Sequence, residues 1–189
     1  MEKKGVIPME NLIEKTVASE LIFDGRILHV YRDDICLPNG KPADRELIRH
    51  IGAVCIIPVT DDGCVVMERQ YRYPVGEVVL EIPAGKLDSK DEDHEEAARR
   101  ELEEETGYRA ERMIDLGKFY PACAYSDEAI RMYLAKGLTK GDRHPDEDEF
   151  LDVELIPLKD LVRQVLDNKI PDAKTQLAIL KAAIHENIL

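Results

Sequence analysis

The chain has 189 residues and a mass of 21.5 kDa, with 44% hydrophobic residues, which suits one ordinary domain or one domain with an appendage. Its net charge of −13 argues against a non-specific grip on nucleic acid or anionic lipid. The longest apolar run, residues 53–59 interrupted by Pro58, is too short to cross a bilayer, and no apolar stretch follows the first five residues as in a secretory signal. A cytoplasmic protein with neither a membrane nor a nucleic-acid partner is expected.

Residues 1–18 read as a loosely held start with room for one short helix. Strand patterning runs from Ser19 to Leu37, broken by a turn at Asp24-Gly25, and Asn39-Gly40 is a hairpin signal. Leu47-Ile48 and residues 53–57 read as strands, the second apolar throughout and hence fully buried. Asp61-Asp62-Gly63 turns the chain into a partner strand at residues 64–71. A short strand at 78–82 is stopped by Pro83. The first helix is expected over residues 91–106, built of strong helix formers and ended by Gly107. Strands return at 112–120 and 129–135. A polar, acidic loop spans 137–148, and Leu151, Val153 and Leu155 alternate as a strand. Helices at 158–167 and 173–186 close the chain. Strands with helices inserted late indicate an α/β or α+β class. No G-x-G-x-x-G after a strand and no G-x-x-x-x-G-K-[ST] occurs, so dinucleotide-binding and P-loop motifs are absent.

The four cysteines, Cys36, Cys55, Cys64 and Cys123, are separated by 19, 9 and 59 residues. No C-x-x-C pair supports a zinc or redox site, and reduced thiols are expected. The five histidines form no H-E-x-x-H pattern.

Charge concentrates between Asp88 and Glu105, where ten acids face three bases for a net −7. Glu101, Glu104 and Glu105 stand at i, i+3 and i+4, on one helix face. Like charges at that spacing destabilise a helix unless something offsets them, and a hard divalent cation bound by oxygen does so. The residues alone favour a solvated acidic face, since surface runs of Glu are common.

Ala84-Gly85-Lys86-Leu87-Asp88 precedes this helix, and Arg100-Glu101-Leu102-Glu103-Glu104-Glu105-Thr106-Gly107-Tyr108 ends it. The stretch resembles the Nudix box, G-x5-E-x7-R-E-U-x-E-E-x-G-U, where U is apolar or aromatic. The second half matches at every defined position, and Glu92 lies eight residues before Arg100 as the pattern requires. Gly85 stands seven residues before Glu92 instead of six, which reads as one extra residue in the Ser89-Lys90-Asp91 turn. The resemblance implies hydrolysis of a nucleoside diphosphate linked to a group X, with Mg2+ or Mn2+ as cofactor. It implies that Glu101, Glu104 and Glu105 hold metal together with the Ala84 carbonyl, and that Glu104 and Arg100 belong to the catalytic set. Glu92 would pair with Arg100 to orient the cluster, and Gly85 would let its loop approach closely.

From about residue 21 to 180 the chain looks like the ADP-ribose pyrophosphatase branch of that family. The segments that carry this are Arg45-Glu46, residues 68–72 followed by 79–85, Ser126-Asp127-Glu128, residues 146–150, and Asp172-Ala173-Lys174-Thr175. The resemblance implies that Arg45 and Arg72 hold the phosphates or terminal ribose, and that Glu128 lines the ribose pocket. It makes Glu147 the general base and Glu149 a further metal ligand, with the register inside 146–149 open by one residue. Read without the family, these arginines are ion-pair partners, residues 146–149 are a solvated loop, and Asp172 is the N-cap of the last helix. Where the branch usually has Ser-Pro-Gly-aromatic, this chain has Pro121-Ala122-Cys123-Ala124-Tyr125, so Cys123 replaces the marker proline and X stays open.

The resemblance thus implies a Nudix α/β/α sandwich with a mixed sheet (residues 51–189) and an N-terminal antiparallel β extension (residues 1–50). The extension would be exchanged or shared in a homodimer, with Phe23 or Tyr31 stacking on adenine. The implied activity is Mg2+-dependent conversion of ADP-ribose to AMP and ribose 5-phosphate. The alternatives are another nucleotide-sugar diphosphatase, or a non-catalytic nucleotide-sugar sensor, against which the intact glutamate set argues.

Overall fold

A computed structural model describes residues 9–144 and 150–189. By its contacts the chain divides into two units. The first takes the described residues up to His50 together with Ala122–Glu128, a segment that the sequence reading left in the second. The second takes Ile51–Pro121 and Ala129–Leu189.

In the first unit a 3-10 turn, Met9–Leu12, leads into β1 (Lys15–Asp24), β2 (His29–Cys36) and β3 (Pro42–Arg49), an antiparallel sheet in the order β1-β2-β3. β1 starts four residues before the expected Ser19, because Lys15 and Thr16 already pair with Cys36 and Ile35. β3 is likewise longer than Leu47-Ile48, since the whole of Pro42–Arg49 pairs with β2. Every residue of β1 is exposed in the single chain, the apolar Val17, Leu21, Ile22 and Phe23 included. Segment 122–128 is held to β3 by the Ile48 N–H to the Tyr125 carbonyl (2.8 Å) and the Asp127 N–H to the Ile48 carbonyl (3.2 Å).

The second unit is organised around β4 (Ala53–Pro58), all six of whose residues are buried. The remaining strands are β5 (Cys64–Arg72), β6 (Glu77–Glu81), β7 (Ala84–Lys86), β8 (Tyr108–Phe119), β9 (Ile130–Lys140) and β10 (Leu151–Pro157). The helices are α1 (His94–Thr106), α2 (Leu158–Leu166) and α3 (Ala173–His185). One sheet runs β7-β4-β9-β8 and is mixed, because β4 and β9 pair in parallel. The other, β10-β5-β6, is antiparallel.

Strand alternation sends the β4 side chains to two cores. Ala53, Cys55 and Ile57 pack in a cluster with Met67 of β5, with Ile82 just after β6, and with Leu158, Leu161 and Ile179 of α2 and α3. Val54 and Ile56 pack with Ala97, Ala98 and Leu102 of α1. Helices on both faces of a mixed sheet give the expected α/β/α arrangement. In α2, Leu158, Leu161, Val162 and Val165 are buried at the i, i+3, i+4, i+7 spacing of one helix face.

The second unit departs from the expectation in several elements as well. α1 starts at His94 instead of residue 91, because Asp93 caps it. Residues 84–86, expected as a loop, form β7 by pairing with β4. β8 begins at Tyr108 and β9 runs to Lys140, since Tyr108, Arg109 and Ala110 pair with Lys140, Thr139 and Leu138. The expected acidic loop therefore begins after Lys140 instead of at Gly137.

Burial pushes the Cys55 thiol up to about 12, with the nearby Lys174 charge opposing. A thiol reagent is therefore expected to label the exposed Cys123 in the native protein and to reach Cys55 only on unfolding. Mass-spectrometric mapping checks this, and equal native labelling of the two would contradict the burial of β4.

Candidate active site

α1 carries most of the chemistry, and its own ends explain where it lies. The Asp93 carboxylate accepts from the Glu95 N–H (2.9 Å) and the Glu96 N–H (3.0 Å), and these two acids favour the helix N-terminus. Gly107 ends the helix at φ 76°, with its N–H on the Glu103 carbonyl at 2.8 Å. Small residues, Ala97 and Ala98, form the buried side and let the helix lie close to β4. The last turn holds Glu103, Glu104 and Glu105 and no base, against the helix dipole. Compensation has to come from outside that turn.

Part of it comes from Arg100. Its Nη1 donates to Glu101 Oε1 (2.8 Å) and Glu104 Oε2 (3.2 Å), its Nη2 to Glu92 Oε1 (3.2 Å), and its Nε lies 3.7 Å from Asp88 Oδ2. Burial works against the arginine's charge. The Glu101 charge and the hydrogen bonds to Glu101, Glu92 and Glu104 outweigh it and raise its pKa. Glu92 precedes the helix by two residues, in a turn closed by its N–H on the Ser89 carbonyl at 3.3 Å. Its Oε2 accepts the Asp88 N–H at 2.6 Å. The extra residue is absorbed in this turn, and Glu92 still meets Arg100.

The chain at Ala84-Gly85 lies against the same acids. The Ala84 N–H donates to Glu105 Oε2 at 3.0 Å, and Glu105 is buried. A Cβ built on Gly85 would stand 2.0 Å from Glu101 Cδ, so any side chain there would displace that carboxylate. Glu101, Glu104 and Glu105 thus share a face of α1 beside Ala84-Gly85. They do not converge into a closed set: among the described residues no three Asp, Glu, His or Cys side chains stand as a ready metal cage, and Arg100 takes oxygens of two of the three.

Arg72, at the end of β5, forms a second group. Its Nε and Nη2 bond both oxygens of Glu81, at 2.7 and 2.8 Å. The Glu81 hydrogen bond and charge raise the Arg72 pKa against the opposing effect of burial, helped by the charges of Glu105 and Asp172. Lys174 also donates to Glu81. These residues border a cavity of about 370 Å³ with Val79 and Pro171. Sequence reasoning passed over Glu81 and Lys174 as site residues. The available signal was an acid inside the apolar run Val78-Val79-Leu80-Glu81-Ile82, at a register that the sheet buries. Asp172 caps α3, accepting the Thr175 N–H at 3.0 Å.

Arg45 and Glu128 belong to the first unit. Arg45 is bidentate to Glu14 (Nε 3.0 Å, Nη2 2.5 Å), and its Nη1 donates to the Asp44 carbonyl at 2.8 Å. Both Arg45 and Glu14 line a cavity of about 400 Å³ with Asp33, Cys123 and Tyr125. Glu128 Oε1 lies 3.9 Å from His50 Nδ1. The Arg49 guanidinium sits 4.2 Å over the Tyr31 ring, whereas Phe23 is exposed. Glu147 and Glu149 lie outside the described residues. The chain leading toward them is fastened to the end of α1, by the Gly141 N–H on the Gly107 carbonyl (2.7 Å) and the His144 N–H on the Glu104 carbonyl (3.1 Å).

Residues 49–178 match the model of the NUDIX domain, and residues 14–48 that of the nucleoside diphosphate sugar hydrolase N-terminal domain. The chain is 43% identical over 180 residues to an ADP-ribose pyrophosphatase of Bacillus subtilis (strain 168), covering 94% of this chain and 97% of the relative. It is also 43% identical over 175 residues to a methanol dehydrogenase activator of Bacillus methanolicus, covering 92% and 94%. A crystal structure of an ADP compounds hydrolase superposes with a TM-score of 0.80 at 26% identity, over 89% of this chain and 91% of that one.

Proposed function

The chain belongs to the Nudix family, and from that premise we propose that it hydrolyses the diphosphate of ADP-ribose to AMP and ribose 5-phosphate. The observation that carries the reading is the all-oxygen acid face of α1, laid against a glycine that has no room for a side chain. Carboxylates and a backbone carbonyl suit a hard divalent cation, Mg2+ or Mn2+, which Glu101, Glu104, Glu105 and Glu149 would hold with the Ala84 carbonyl. When bound, such a cation neutralises the diphosphate and lowers the pKa of the attacking water. Arg100 orients Glu101 and Glu104, and Glu92 holds Arg100 in turn. Arg72 and Arg45 grip the phosphates or terminal ribose, and Glu128 lines the ribose pocket. Arg45 must release Glu14 to do so. Glu147 accepts the proton of the attacking water as its oxygen bonds to phosphorus and the bridging P–O bond breaks.

Cys123 in place of the family's proline keeps a second nucleotide sugar in view as substrate. The test is a panel of ADP-ribose, ADP-mannose, GDP-mannose, NADH and diadenosine polyphosphates, assayed with Mg2+. ADP-ribose is expected to give the highest kcat/KM, with AMP as product. A higher value for another compound reassigns X. Binding without turnover of any compound would make the protein a sensor.

Residues 1–50 serve in this reading as a dimerisation and substrate-contact extension to a hydrolase domain of residues 51–189. Support comes from β1, whose apolar side chains are exposed and whose outer edge lacks a partner strand among the described residues. A second copy sharing this sheet covers them, and Phe23 is the more open of the two aromatics for adenine. Sedimentation should give about twice 21.5 kDa. A chain without residues 1–50 should be inactive or aggregated, and a soluble, active, monomeric truncation would refute the shared site. Four unpaired thiols suit a cytoplasmic location.

A further inference from the structure

Glu81 is the last residue of β6 and its side chain is 2% exposed. A buried carboxylate is costly unless it is paired and hydrogen-bonded. Two cations serve it from different elements. Arg72 bonds both oxygens from β5, and Lys174 bonds Oε2 from the first turn of α3. Lys174 is 13% exposed and also donates to Asp172 Oδ2 at 3.1 Å. That oxygen accepts the Thr175 hydroxyl at 2.6 Å, and the Thr175 Oγ1 accepts the Ile82 N–H at 3.0 Å. The first turn of α3 is therefore fastened to the end of β6 by an ion pair and a hydrogen bond together.

The pair with Glu81 uses Nε and Nη2 of Arg72, which among the described residues leaves Nη1 for another acceptor. The charge of Glu105, on the acid face of α1, acts on the same guanidinium. Arg72 thus is held by a buried acid while it lines the cavity that Val79, Pro171, Asp172 and Lys174 also border. Two cations and two carboxylates, Arg72, Lys174, Glu81 and Asp172, make a neutral group. Without Lys174 the group carries one net negative charge, and Arg72 alone must satisfy Glu81.

We propose that Lys174 is a positioning residue for the diphosphate: by sharing Glu81 it fixes the plane of the Arg72 guanidinium and leaves Nη1 free for a substrate phosphate. The inference rests on the proposed nucleoside-diphosphate hydrolysis, and it names a residue that acts through Arg72 without touching the substrate.

The experiment is a double-substitution cycle of Lys174→Met and Arg72→Gln in the full chain, with two readouts. One is kcat and KM for ADP-ribose with Mg2+; the other is calorimetric binding of inorganic pyrophosphate with Mg2+. Lys174→Met is expected to raise KM about tenfold and change kcat less than about threefold, as for a lost charge-assisted contact made alike in ground and transition states. Pyrophosphate binding should weaken by a similar factor. In the Arg72→Gln background Lys174→Met should add nothing, since its effect passes through Arg72. Lys174→Arg should restore most of the affinity. Lys174→Gln replaces the methionine variant if thermal melts show that the latter does not fold. Additive losses in the two assays, or a fall in kcat at unchanged KM, overturn the proposal. Pyrophosphate binding with the non-additive pattern but no ADP-ribose turnover removes the substrate reading and leaves the Lys174 role standing. ADP-ribose turnover with additive losses does the reverse.

Discussion

Glu104→Gln should fold as the wild type does and turn over ADP-ribose at least about 10²-fold more slowly, the scale of a lost electrostatic contribution in a catalytic site. The carboxylate is 42% exposed on the surface of α1, so an amide of equal size meets no steric or burial penalty. Arg100 keeps Glu101 and Glu92, and the helix keeps both of its caps. What disappears is one anionic oxygen on the face proposed to hold the cation. Measurement of kcat at saturating Mg2+, with circular dichroism as the folding control, decides the matter. Near-normal turnover in a folded variant would remove Glu104 from the metal ligands.

Glu147→Gln should lower kcat by roughly 10²- to 10⁴-fold, the usual range for loss of a general base. Its affinity for a non-hydrolysable ADP-ribose analogue should stay nearly unchanged, because the base contributes little to ground-state binding. Glu149→Gln should instead raise the metal concentration needed for half-maximal rate. The chemical argument is one of availability. Arg100 and the proposed cation occupy the carboxylates of α1, so the proton needs an acceptor supplied from elsewhere. The anchoring of residues 141–144 on the end of α1 starts the chain toward residue 147 beside that helix. The opposite pattern for the two variants would shift the register by two residues. Unchanged turnover in both would make residues 146–149 a solvated loop.

How far the sequence disclosed this site depended on how local each signal is. The spacing of Glu101, Glu104 and Glu105 is a property of one helix, and helical periodicity alone sets them on one face. The β4 run of six apolar residues, Ala53–Pro58, announces burial on both sides in the same way. The start of α1 was misjudged because Asp91 and Glu92 suit a helix by composition, while Asp93 wins as cap by bonding two backbone amides. β7 escaped because three residues, Ala84–Lys86, have no periodicity to read; only their pairing with β4 defines them. In the Arg72–Glu81–Lys174 group the first and last residues stand 102 positions apart, and no spacing rule links residues that meet only through the fold. Arg45 shows the converse: its type is right for an anion, yet it meets Glu14, an acid 31 positions away.

The parallel register of β4 and β9 also bears on how the protein comes to exist. Ala53 pairs with Ile130, so forming this pair closes a loop that contains Ala84-Gly85, Arg100 and the glutamates Glu101, Glu104 and Glu105 of α1. Loop-closure entropy opposes that step before any contact rewards it, which makes such topologies slow to assemble. α1 cannot run ahead on its own account, since 13 residues are marginal for an isolated helix and its acids repel one another. A nascent chain that has emerged only as far as Tyr108 therefore holds the whole acidic motif but lacks β9 and β8, half of the sheet on which it rests. The sheet beneath the motif is complete only when residues beyond Ile130 arrive.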